Sequence, residues 1–83
     1  MKLPIIRHLQ KNNSVEELQH TAEVLESFSE HRSISETETD VVGELLTNVC
    51  GAIEVHELME KENLSSIDAA NAFSKKVLGS IDR

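Results

Sequence analysis

Between Asp40 and Met59 the chain reads DVVGELLTNVCGAIEVHELM, and its apolar positions recur with a helical period rather than alternating. At about 100° per residue, Val41, Val42, Leu45, Leu46, Val49, Ala52, Ile53, His56 and Met59 share one arc about 140° wide. That is broader than the stripe of a helix resting on a single neighbour. Gly51, Val55 and Leu58 make a second, narrower strip on the roughly opposite side. A helix that is apolar on two sides must be covered from two sides. The stretch is therefore expected to be the central helix of a bundle or of a dimer.

The same pattern places the other elements around it. Ser14 and Glu17 form a capping box, in which a serine and a glutamate satisfy each other's backbone N–H, and it predicts a helix over about 15–31. Val15, Leu18, Ala22, Leu25 and Phe28 should be its buried stripe. Two overlapping signals, Ser33-x-x-Glu36 and Ser35-x-x-Glu38, start the central helix, expected over about 36–62 with Asn63 as its end. Gly43 and Gly51 fall inside it, and the periodicity continues past both, so each is expected to admit another backbone. A last helix follows Ser65 over about 66–80, with Ile67, Ala70, Phe73, Val77, Leu78 and Ile81 on one arc. Ahead of all these, Pro4 favours a short helix or turn over residues 4–11 that lays Ile5, Ile6 and Leu9 on the bundle. The expected fold is all-α: a single domain over 1–83, three main helices and an N-terminal appendage.

Composition narrows the function classes. Eighty-three residues bury a modest core, which makes self-association a reasonable expectation. With no Trp, no Tyr and two Phe, the chain lacks the aromatic platforms on which single-stranded nucleic acid stacks. The net charge of −7 divides into +3 over residues 1–11, −11 over 12–67 and +1 over 68–83. An acidic body repels phosphate, which argues against nucleic acid and anionic membrane as partners. No apolar run approaches the ~20 residues of a membrane span, and the start MKLPIIRHLQ does not read as a signal peptide. One cysteine, Cys50, cannot pair within the chain, and a reducing cytoplasm fits best. No cofactor is implied.

Several groupings have the residue types of chemistry. Glu17 and His20 have the E-x-x-H spacing of di-iron bundles but lie on the polar face. Glu54, Glu57 and Glu60 form a carboxylate row whose plain reading is a solvated face. His56 falls inside the apolar arc, where a neutral imidazole with a hydrogen-bond partner is expected. Glu44, Cys50 and His56 in the order E-x5-C-x5-H resemble the carboxymuconolactone decarboxylase and alkylhydroperoxidase D group, which carries C-x-x-C-x-x-x-H on a helix. Ile53 stands where the second cysteine belongs, and the histidine falls one residue short. A buried, inert thiol is the simpler expectation for Cys50.

The opening MKLPIIRHLQ, the block GELLTNVCGAIEVHELM and the ending AFSKKVLGSIDR together resemble a family of very short, uncharacterised bacterial helical proteins that close on VLGSID and a basic residue. That resemblance implies no assigned activity. Genes of the family often neighbour those of thioredoxin-like and peroxiredoxin-like proteins, so a thioredoxin-like partner is one implication. The expected function is a non-enzymatic helical module that self-associates or binds a protein, with a homodimer contact at Gly51, Val55 and Leu58. The alternative is a thiol- or metal-dependent redox accessory using Cys50, His56 and Glu44.

Overall fold

Local capping chemistry accounts for most of the helix boundaries. The computed structural model describes the backbone of residues 1–81 and the side chains of residues 1–78. They form α1 (Leu3–Asn12), α2 (Val15–Ser29), α3 (Glu36–Lys61) and α4 (Ser66–Ile81), with no strand among the described residues. At the start of α2 the Ser14 hydroxyl accepts from the Glu17 N–H at 3.1 Å and Glu17 accepts from the Ser14 N–H at 2.8 Å. Of the two signals before α3, Ser35 is the one used, with the reciprocal pair to Glu38 at 3.1 and 2.9 Å. Ser33 is already engaged in the preceding turn, where its N–H donates to His31 Nδ1. Asn63 ends α3 with a φ of 52°, and the Leu64 N–H returns to the Met59 carbonyl at 3.0 Å. That is the six-to-one bond of a Schellman ending, in which a left-handed residue lets the chain double back onto the last turn.

The N-terminal appendage, expected as a short helix or turn, is a ten-residue helix, so the bundle has four helices. Its start has no cap of its own. Asn48, on α3 and only 4% exposed, supplies one: its Oδ1 accepts the Lys2 N–H at 2.7 Å, while its Nδ2 donates to the Glu44 carbonyl at 2.9 Å. Lys2–Asn48, Ile6–Gly51 and Asn13–His56 contacts advance along both helices together, so α1 runs parallel to α3.

The long helix is central, as expected. It packs α2 on one side and α1 with α4 on the other, giving a plate 42 × 32 × 18 Å. The core runs along α3 as Val49, Ala52 and Val55, closed by Ile6 from α1, Leu18 and Ala22 from α2, and Ala69, Ala70 and Phe73 from α4.

Four expectations about faces are corrected. The strip of Gly51 and Val55 is buried inside the chain, not on an outer surface: Val55 is 0% exposed, and a Cβ on Gly51 would stand 2.7 Å from Ile6 Cδ1. Gly51 thus admits a side chain rather than a backbone, and Gly43 has nothing within 4 Å. Leu45, read as deep core, is exposed together with Val41, because α1 begins level with Asn48 and, apart from the Met1–Glu44 ion pair, leaves the first turns of α3 beside α2 among the described residues. Phe28 on α2, Ile5 on α1, and Ile67 and Leu78 on α4 are exposed as well; on α4 the buried arc is rotated toward Ala69. The side chain of Ile81, and the VLGSID ending beyond Leu78, lie outside the described side chains.

Candidate functional site

Where α1 no longer covers α3, an apolar groove remains open between α2 and α3. Leu25 and Phe28 line it from α2, and Thr37, Glu38, Val41, Val42 and Leu45 from α3. Spacings of three and four put each set on one side of its helix, so the two rows face each other across the hairpin. Its volume is about 370 Å³. Val42, 6% exposed, is the floor, whereas Phe28, Val41 and Leu45 remain 51%, 53% and 48% exposed. Phe28 and Glu38 also border a neighbouring hollow with Ser27, His31, Ser33 and Ile34, which extends the depression toward the α2–α3 turn.

Glu38 is the charged side chain in this lining. The Ser35 backbone N–H, and after it the Ser35 hydroxyl, hold its pKa below the ordinary glutamate value. The groove therefore keeps a fixed anion at its rim at neutral pH. The groove is a hydrophobic trough with a negative edge at Glu38.

The residues singled out from the sequence are held apart. Glu44 accepts from the Met1 amino group at 3.2 Å and from Asn48 Nδ2 at 3.4 Å, and its pKa is lowered chiefly by the bond from that amino terminus. His56 is half-buried, and its Nε2 donates to the Asn13 carbonyl at 2.9 Å across the α1–α2 junction. The imidazole thus has the hydrogen-bond partner that its place in the arc calls for. Cys50 is exposed rather than buried, in a shallow depression with Met1, Leu46, Gly51, Glu54 and Phe73. It has no contact with either Glu44 or His56 among the hydrogen bonds of the described residues. Leu58 is half-buried against the core. Glu54 pairs with Lys76 at 3.4 Å, and Glu57, Glu60, Glu17 and His20 are exposed. No group of three His, Cys, Asp or Glu among the described residues is placed to hold a metal ion.

Sequence reasoning missed the groove because Phe28, Val41 and Leu45 obey the same periodicity as the buried residues beside them. The signal that distinguishes them is length: α3 has about three more turns at its N-terminal end than α1 can accompany.

A model described as a family of unknown function (DUF6952) matches residues 1–82, and the chain belongs to that family. No curated protein and no solved structure matches it. Among the described residues no helix is long and apolar enough to cross a membrane.

Proposed function

We propose that this family member is a non-enzymatic helical module that works through protein–protein contact, and that the groove between Leu25, Phe28, Val41 and Leu45 is its contact surface. One observation carries the reading: three large apolar side chains stand about half exposed, side by side, over a buried floor. Single exposed hydrophobics are ordinary, but a contiguous apolar trough on a small chain is a feature of interaction sites. The surface area points the same way. A compact monomer of 9.3 kDa exposes about 5,000 Å², and this chain exposes 5935 Å². The excess is comparable with the roughly 800 Å² that each partner buries in a standard interface.

A second copy of the chain is one occupant, and the homodimer expected from the sequence would then use this groove in place of Gly51 and Val55. The contact reading is favoured over the redox alternative by the partners of two of its residues, since Glu44 bonds the Met1 amino group and His56 the Asn13 carbonyl. Light scattering on the wild type and on the Val41→Ser/Leu45→Ser variant tests the reading, with binding of the neutral dye Nile red as a second readout. A dimer that becomes monomeric in the variant, or a monomer whose dye binding the variant abolishes, supports it. Identical mass and identical dye binding in the two proteins would remove the groove from the argument.

A further inference from the structure

The charge around the groove selects among its occupants. Residues 21–46, which carry both walls and the turn between them, hold Glu23, Glu26, Glu30, Glu36, Glu38, Asp40 and Glu44 against the one base Arg32, a net charge of −6. All seven of these carboxylates belong to exposed residues. Glu38 stands in the groove lining itself, Glu26 borders the depression at Cys50 and Glu44 pairs with the Met1 amino group, so the others act on the groove as the negative field of its two walls. Two copies docked groove to groove would bring two such rims together, and like charges placed face to face disfavour association. The shape specifies the rest. From Thr37 to Leu45 the trough follows about 12 Å of helix axis, or two turns. A third helix laid on an antiparallel pair meets both at the ordinary packing distance of 8–10 Å. Helix-in-groove recognition reads a partner through apolar anchors at i, i+3 or i+4, and i+7.

We infer that the groove between α2 and α3 receives a basic amphipathic helix of another protein, whose apolar anchors rest on Phe28, Val41 and Leu45 while its Lys and Arg residues meet Glu38 and the net negative charge of the two walls. The inference rests on the reading of the groove as a contact surface and adds the chemistry of what fills it. The anchors enter where Val42 closes the floor. The cations pair with exposed carboxylates, so they steer and orient more than they bind.

The test uses the full chain and three fluorescein-labelled 14-residue peptides: one with Leu on one helical face and Lys on the other, one with Glu in place of Lys, and one with Ser in place of Leu. Fluorescence anisotropy should show the Leu/Lys peptide binding in the micromolar range and the other two at least tenfold more weakly. Val41→Ser/Leu45→Ser, which changes no charge, should weaken the Leu/Lys peptide at least tenfold while the helical circular dichroism spectrum is retained. Equal binding of the Leu/Lys peptide to wild type and variant would show attraction to the acidic surface alone and overturn the inference. Preference for the Leu/Glu peptide, or no binding of the Leu/Lys peptide alongside a mass that the variant shifts, overturns the basic helix and leaves the contact surface standing. No peptide binding, no shift in mass and no change in dye binding would overturn both.

Discussion

Gly43 and Gly51 lie eight residues apart on α3, and the same substitution at each should have opposite effects. A Cβ at Gly43 meets nothing within 4 Å, so Gly43→Ala keeps only the helix-propensity gain and should stabilise by up to about 1 kcal/mol. A Cβ at Gly51 would stand 2.7 Å from Ile6 Cδ1, 3.1 Å from Ile6 Cγ1 and 3.3 Å from Phe73 Cζ. Ile6 is fully buried, so its Cδ1 must shift within the core to admit the Cβ, and an overpacking cost of about 1–3 kcal/mol is expected to exceed the propensity gain. Urea midpoints that rise for Gly43→Ala and fall for Gly51→Ala are the expected result, and a rise for both would show that α1 yields. Asn48 is equally particular. Its side chain joins Lys2 of α1 to Glu44 of its own helix, so Asn48→Ala leaves the Lys2 N–H without its partner and should cost about 1–3 kcal/mol. Hydrogen exchange should show the loss concentrated in α1, whereas an even loss across all four helices would place Asn48 in the general core. Neither role was legible from residue type. A glycine and an asparagine inside a helix read as weak points until the neighbour that uses them is known.

Helix positions and their start signals were largely legible, because capping is local: Ser14 with Glu17 and Ser35 with Glu38 lie within four residues of each other. Faces were less so. The period correctly gave α3 two covered sides, but which neighbour covers which turn depends on where α1 begins, and that is fixed by the distant pair Lys2 and Asn48. Hence Ile6 was recognisable as apolar but not as the side chain that fills the notch at Gly51, and Leu45 and Phe28 passed for core. The capping box of α3 carries a prediction of its own. The folded state holds the Glu38 pKa below the ordinary 4.5, so its contribution to stability is fully present above that value. The contribution is lost as pH falls below 4.5 and through the lowered value, when the carboxyl takes a proton and its bond from the Ser35 N–H weakens. Carbon-detected titration of Glu38 should report the lowered midpoint. Glu38→Gln should flatten that part of the stability–pH curve, and an unchanged curve would mean that the box contributes nothing beyond its geometry.

At the scale of the whole molecule, the bundle is elongated rather than spherical. The radius of gyration is 13.8 Å, where a compact chain of this length has about 12 Å. The cause lies in the sequence: α2 and α4 are both amphipathic, and α3 separates them, so each closes its own side of the central helix and neither closes the end at Val41. That open end carries Glu36, Glu38, Asp40 and Glu44 with no base between residues 36 and 46, and their sign makes its occupants distinguishable by salt. If two copies meet there, added salt screens the repulsion between their rims, and dimerisation should strengthen between 50 and 500 mM NaCl, taken as roughly a threefold change in Debye length. If a basic helix docks there, the same salt screens an attraction, and its affinity should fall over that range. Sedimentation equilibrium on the chain alone and anisotropy with the Leu/Lys peptide measure the two slopes on one preparation. The expected pair is a chain that stays near 9.3 kDa at 50 mM NaCl and a peptide affinity that drops severalfold by 500 mM. A dimer already formed at low salt, with peptide binding indifferent to salt, would mean that apolar contact outweighs the rim charges and that the groove belongs to a second copy.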